Sequence, residues 1–456
     1  MLGVIGIIIS LGLLMYLAYR GITVLILAPI LAMLAAVFSG DIPLLASYTE
    51  VFMKSFAGYA KAYFPLFLLG AIFGKVMDAS GAAKSIAHFI AEKLGKDKAI
   101  LAVVLSCAIL TYGGVSLFVV AFAVYPVAAA LFREGNVPKR FIPASIALGS
   151  FTFTMTALPG TPQIQNAIPM PFFGTTAWAA PILGLIGAAV MFGGGMWWLT
   201  TRSKKAMAAG EGYGNHKEEI KEFDLDKLPS FAAALTPIII VLVLNYLLGK
   251  FYFGNMDGSF LEQYGTTLSK VKGIWSIIIS LVASIVVALI IFRKNIDNMK
   301  ETINQGAYGS LLAIINTSSE VGYGNVIKAL GAFALVKAAI LAIPGTPLIS
   351  LAASTSILAG ITGSASGGMS IALGALGDIY MQKATALGID PAAFHRIAAM
   401  ACGGLDTLPH NGAVITLLGI TGLTHKESYA DLGMCTVVIP LCATIVAIVA
   451  ATFGIV

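Results

Sequence analysis

The stretch Ile274 to Phe292, IWSIIISLVASIVVALIIF, carries no charged side chain over about the length that crosses the hydrocarbon core of a bilayer. Val4 to Tyr19, Ile22 to Phe38, Pro181 to Thr200, Phe231 to Leu248 and Val437 to Val456 are apolar runs of the same kind. In lipid every backbone N–H and C=O must be paired within the chain, so such runs are helices. With 58% of residues hydrophobic and 11% charged, where soluble domains carry roughly a quarter charged, the sequence predicts an all-α polytopic membrane protein. The lipid bilayer is its first partner. The formal charge of +6 does not indicate nucleic acid, because the basic residues sit in short loops between spans and form no polar face.

The opening segment MLGVIGIIISLGLLMYLAYRG has no positive leading region and runs through one tight turn into a second apolar helix, which predicts a retained span. Cys107, Cys402, Cys435 and Cys442 lie inside apolar segments without CxxC or Cys/His spacing, and are read as structural thiols. If the N-terminus is outside, Arg20, Lys84 to Lys98, Arg133 to Arg140, Arg202 to Lys227, Arg293 to Lys300 and Lys426 all fall in the cytoplasm, as the positive-inside rule asks. That topology requires Ala99 to Phe132 to enter and leave on one side. The polar break TYGGVS in its middle, Thr111 to Ser116, therefore predicts a re-entrant helical hairpin.

The order of features recurs near the C-terminus. TYGGVS, PKRF (Pro138 to Phe141), an apolar run and Leu158-Pro159 are matched by GITGSASGGMS (Gly360 to Ser370), PAAF (Pro391 to Phe394), an apolar run and Leu408-Pro409. Gly113-Gly114 with Ser116 aligns with Gly367-Gly368 with Ser370, and Asp78-Ala-Ser-Gly81 aligns more weakly with Glu320-Val-Gly322. Counting spans places the two hairpins on opposite sides, so the chain reads as a pair of inverted repeats. Roughly eleven spans plus two hairpins are expected. The first repeat covers 1–201, with its hairpin at 99–132 and a broken helix at 141–170. A cytoplasmic linker covers 202–230, and the second repeat covers 231–456, with its hairpin at 347–380 and a broken helix at 392–420.

Proline removes a backbone donor, so LPGTPQIQN and LPHNG should each unwind a spanning helix near its midpoint and leave half-helix N-termini inside the membrane. Those ends attract an anion. The expected substrate site comprises Gly113, Gly114, Ser116, Thr161, Gln163, Asn166, Ser364, Ser366, Gly367 and Asn411, whose amides and hydroxyls suit carboxylate and hydroxyl oxygens. Asp406 and His410, four apart across the second break, are the expected ion-coupling groups, since ionisable residues within spans are costly. Asp78 and Glu320 are read as interfacial charges with structural roles, and Trp197-Trp198 as part of an aromatic belt.

This layout resembles the gluconate permease family of the ion transporter superfamily. The likeness is carried by the N-terminal helix pair, FGKVMDASGAAKSIA (Phe73 to Ala87), the two glycine-serine hairpins, PKRFIPASIALG (Pro138 to Gly149) and the two broken helices. It implies a proton-coupled symporter of gluconate or a related hydroxy acid. Gluconate permeases carry an LPPHPGP-like motif in the first broken helix, where this chain reads LPGTPQIQNAIP; the second reads TLPHNG. The abundance of Met, Phe and Leu around few polar groups points to a smaller, less hydroxylated acid, and the resemblance implies short hydroxy acids such as 3-hydroxybutyrate. The resemblance further implies an elevator-like transport domain moving against a scaffold. That scaffold is expected to include 181–200, 231–248 and 437–456 and to form a homodimer. Sodium coupling is the alternative to protons.

No Walker loop, HExxH, GxSxG or strand-helix GxGxxG occurs, so no enzyme activity, cofactor or metal is expected. An intramembrane enzyme would have to pair Ser116 or Ser364 with His410, and a passive channel would not accumulate its solute.

Overall fold

The fold is known from a computed structural model that describes residues 2–216 and 227–456. Among these residues there is no strand. Six helices are long and apolar enough to cross a membrane: Leu44–Ala79, Leu117–Glu134, Pro181–Ala208, Phe231–Tyr252, Leu268–Ile291 and His425–Thr452. The remaining apolar elements are short, bent or broken. Leu2–Tyr19 and Val24–Ser39 form an N-terminal pair, and Met299–Ala329 turns by 96° into Phe333–Leu341. Part of the linker expected over 202–230 lies outside the described residues. On its near side, the helix from Pro181 continues to Ala208.

Helix ends follow local chemistry. Ser230, Asn298, Thr346, Asp390 and Asn411 each accept a backbone N–H at a helix start, and Thr424 with Glu427 forms a capping box. Pro347 and Pro391 stand at first helical positions, where the missing N–H costs nothing.

The first hairpin consists of Ala99–Tyr112 and Leu117–Glu134. Its two ends meet, with Lys96 Nζ 3.4 Å from Glu134 Oε1. The chain reverses at Gly114, where φ is 98°, a value that side-chain-bearing residues rarely adopt. The second hairpin consists of Pro347–Thr362 and Ala365–Leu387, and here the structure corrects the sequence alignment. The reversal falls at Gly363, φ 63°, with Ser364 capping the second helix, so Ser364 stands where Ser116 stands in the first hairpin. Gly367-Gly368 lie inside that helix and are not the tip. Matching the paired glycines put the tip too late, because a reversal needs one left-handed glycine followed by a cap and has no use for the second glycine.

Both predicted helix breaks are present. Ile142–Ser150 gives way to an irregular stretch, with short helical pieces at Phe153–Thr156, Ile164–Ala167 and Met170–Phe173. Pro391–Cys402 is separated from Gly412–Thr421 by a single tight turn at Leu405–Thr407.

The flanking helices 181–208 and 425–452 pack directly onto the broken helices. A Cβ on Gly187 would strike the Met400 side chain, and one on Gly195 the Leu148 side chain, so these glycines admit close helix approach. The N-terminal pair shares a separate apolar cluster with Phe52, Tyr323, Val326 and Ile327, and Ser10 hydrogen-bonds Tyr323 at 2.8 Å within it. At one end of the bundle Asp431, buried, accepts hydrogen bonds from Arg140 (2.6 Å), Arg202 (3.2 Å) and Trp198 (3.0 Å). Trp198 is thus tied to a carboxylate, while Trp197 is exposed. The Glu211 and Asp431 carboxylates beside Arg140 push its guanidinium above the ordinary value.

Candidate functional site

Both hairpin tips and both breaks converge on a cavity of about 760 Å³. Gly114 and Ser116 border it from the first tip, Thr362 to Ser366 from the second. Pro162 to Gln165 border it from the first break, and Asp406, Thr407 and His410 to Ala413 from the second. Apolar walls come from Leu66, Phe67, Phe118, Phe151, Met155 and Leu281, and Gly21 to Val24 also line the cavity. The helices beginning at Leu117, Ala365 and Gly412 all point their N-terminal ends into this space. Among the described residues no lysine or arginine lines it, and its ionisable groups are Glu320, Asp406 and His410.

Of the residues expected at the site, Gly114, Ser116, Gln163, Ser364, Ser366, Asn411, Asp406 and His410 border the cavity. Four others are placed elsewhere. Gly113 abuts Ile238, where a Cβ would strike the isoleucine side chain, so it serves packing. Gly367 lies beneath the Glu320 carboxyl. Thr161 is buried behind the break, its Oγ1 accepting from Gln163 N at 3.4 Å. Asn166, also buried, donates through Nδ2 to Thr161 O (2.8 Å) and Ala177 O (2.9 Å). Its Oδ1 accepts from Arg396 Nη1 (3.0 Å) and pairs with His395 Nε2 (3.1 Å).

The polar groups at the breaks are largely occupied with backbone. Gln163 Nε2 donates to Thr111 O (2.8 Å) and Val115 O (3.3 Å), tying the first break to the first tip. Asn411 repeats the arrangement in the second half: its Nδ2 donates to Gly363 O at 2.8 Å, while its Oδ1 caps the following helix through Val414 N at 2.9 Å. Freed carbonyls find donors too. Tyr112 reaches Pro159 O at 2.7 Å, Asn245 reaches Gly160 O at 3.2 Å, and Tyr429 reaches Thr407 O at 3.0 Å. Ser116, by contrast, caps nothing with its side chain.

Asp406 Oδ1 and His410 Nε2 are both buried without a hydrogen-bond partner, and no ion pair or hydrogen bond joins the two side chains. The expected pair is therefore two separate groups on one cavity wall. His410 lies over Gly363, the tip glycine, where a Cβ would fall 3.0 Å from its ring.

Two buried ionisable residues, His395 and Arg396, escaped the sequence reading, and a third, Glu320, sits differently from the interfacial charge expected of it. Glu320 is not interfacial: it sits deep in Met299–Ala329, 4% exposed, with Oε2 unpartnered at the cavity wall. Arg396 and His395 are fully buried in the first half of the second broken helix. Arg396 donates to Ala179 O (2.8 Å), Ala177 O (3.3 Å) and Thr156 O (3.4 Å) besides Asn166, so one cation pins the first break to the second repeat. Two adjacent ionisable residues inside the predicted broken helix were the available signal. Asp78, the weak repeat partner of Glu320, is only a helix-end charge 3.7 Å from Lys75.

Comparison with known proteins agrees with this architecture. The model of the GntP family permeases matches residues 1–453. This chain belongs to the GntP permease family. An uncharacterized transporter of Bacillus subtilis, YxjC, is 48% identical over 449 residues, covering 95% of each chain. An uncharacterized transporter of Haemophilus influenzae is 29% identical over 189 residues, covering 41% of this chain and 42% of its own. Among solved structures, the Alcanivorax borkumensis YdaH transporter, described as having an unusual topology, superposes with a TM-score of 0.57 at 14% identity. The match covers 91% of this chain and 90% of that one, and it speaks for the fold alone. A GntP permease is a multi-pass membrane transporter and not an enzyme.

Proposed function

We propose that this GntP permease is a secondary active symporter that imports a small hydroxy monocarboxylate, such as gluconate or 3-hydroxybutyrate, together with protons across the cell membrane. The carrying observation is the meeting of three helix N-termini, at Leu117, Ala365 and Gly412, on a cavity that no lysine or arginine lines. Free N–H groups and positive dipole ends favour an anion there, and the Ser116 and Ser364 hydroxyls flank the place it would occupy. The apolar walls suit a short carbon chain.

The same cavity holds Glu320 and Asp406, and a substrate carboxylate beside two ionised carboxylates, with no lysine or arginine among the described lining residues, would be strongly repelled. Protons on these groups, with His410 as a third acceptor, remove that repulsion and make substrate and proton loading interdependent. Alternation by elevator-like displacement and assembly as a homodimer follow from the family resemblance.

The test is uptake of labelled hydroxy acids into proteoliposomes under an imposed proton or sodium gradient. Accumulation above the external level driven by the proton gradient is expected. Accumulation driven by sodium alone would replace the proton with a metal cation, equilibration without accumulation would mean a channel, and product formation an enzyme.

A further inference from the structure

Glu320 stands in the wall between two cavities. On the helix Met299–Ala329, Asn316, Thr317 and Glu320 border the large cavity, while Val321 and Asn325 border a second one of about 280 Å³. The second hairpin divides in the same way: Ser364 to Ser366 face the large cavity, Ser370 and Gly374 the small one. The wall is therefore about one helical turn thick on each element, and its contact is Glu320 against Gly367. A Cβ on Gly367 would fall on Glu320 Oε2, so the carboxyl occupies a seat that only glycine leaves open.

The small cavity carries polar groups of its own, Tyr59, Tyr63, Asn325 and Ser370. The small cavity is completed by Tyr59 and Tyr63 from Lys54–Ala79 and by Ile168, Pro171 and Phe172 at the end of the first broken helix. Tyr63 donates to Ile168 O at 3.1 Å, whereas the buried Tyr59 hydroxyl has no partner. Tyr59 and Tyr63 are the titratable groups on that side; Asp406 and His410 are those across the large cavity. Neither cavity has a lysine or arginine in its lining to hold the Glu320 carboxyl as a permanent ion. A carboxyl buried at membrane depth with an open oxygen and no counter-charge is expensive, which argues that the chain retains it for a moving proton.

We propose that Glu320 is a proton relay in this wall, gaining a proton on the side of Tyr59 and Ser370 and giving it up on the side of Ser364 and His410. The inference rests on the symport reading and supplies its proton path. The chemistry balances with water alone. An O–H bond of a hydrated proton in the small cavity breaks as the Glu320 carboxylate forms its own O–H, and that bond breaks in turn when water in the large cavity takes the proton.

Wild type and three variants are compared in proteoliposomes by two measurements, accumulation driven by a proton gradient and counterflow of labelled against unlabelled substrate. Glu320→Gln is expected to lower the ratio of accumulation to counterflow by at least about tenfold. Tyr59→Phe should lower it several-fold, and Gly367→Ala, which keeps the carboxyl but fills its seat, should resemble Glu320→Gln. An unchanged ratio in folded Glu320→Gln protein overturns the relay while leaving the symport reading intact. Wild type that accumulates no acid sinks the symport reading instead. A readout independent of transport is dicyclohexylcarbodiimide, an apolar reagent that adds to protonated buried carboxyls. The mass adduct should map to Glu320 in wild type, form more slowly as pH rises, and be absent from the same position in Gly367→Ala; no adduct at Glu320 at any pH overturns the relay.

Discussion

Replacing Asn166 by leucine should unfold the first break, although the residue stands among polar groups that a sequence reading assigns to substrate. The side chain is fully buried and makes four hydrogen bonds: two from Nδ2 to carbonyls and two at Oδ1, to Arg396 and His395. Taking about 1 kcal/mol for each neutral bond and about 2 for the one to the guanidinium, their loss amounts to about 5 kcal/mol. The leucine volume fits, so the loss comes from polar groups left without partners. Against a typical stability of about 5–15 kcal/mol this is a large share. The expected outcome is a strongly lowered melting temperature of the detergent-purified protein, followed by size-exclusion chromatography after heating, or no folded protein at all. Asn166→Asp keeps an acceptor for Arg396 and should lose less. Asn166→Leu protein that melts like wild type but binds substrate weakly would refute the reasoning and return Asn166 to the binding site.

Asp431→Ala leaves Arg140, Arg202 and Trp198 without their shared acceptor, and should cost about 3–5 kcal/mol in the same melting assay; a shift near zero would mean that the cluster is only solvated charge. Single cysteines at Lys96 and Lys139 should be labelled from the same membrane face and one at Lys270 from the other, since Lys96 touches Glu134 across the hairpin ends; opposite faces for 96 and 139 would contradict the hairpin. Methyl esters of a transported acid should compete at least about tenfold more weakly than the acid, because helix N-termini bind charge; equal competition would remove the anion site. His410→Gln should weaken proton-driven uptake more than counterflow, and an equal fall in both would make His410 a substrate contact only.

How much of this was legible in the sequence depended on which constraint acted locally. The breaks at Leu158-Pro159 and Leu408-Pro409 could be read because proline acts on its own backbone. The first hairpin could be read because basic residues flank it, and Lys96 and Glu134 do meet. The second tip was misplaced by a few residues because glycine identity does not show which glycine is left-handed; φ at Gly363 does. The burial of Glu320 was hidden by distance: the charge shows in the sequence, but its seat is made by Gly367, far along the chain. Arg396 was visible as a charge within a span, but its partners, the carbonyls of Ala177, Ala179 and Thr156, belong to the other half of the chain.

The amides at the two breaks bear on how such a cavity alternates between faces. Gln163 holds carbonyls of the first tip and Asn411 holds the carbonyl of the second, each side chain standing just before the half-helix that resumes after its break. Each break is thereby lashed to its own hairpin, and Arg396 lashes the first break to the second broken helix. Tips and breaks are then one body carrying the helix N-termini with it. Glu320 lies outside that body, on a helix packed against Lys54–Ala79, where Gly306 lies against the Ile72 backbone. The contact between Glu320 and Gly367 therefore joins this body to the helix Met299–Ala329, and on the proposed symport reading it is there that a proton gained or lost would decide whether the two part.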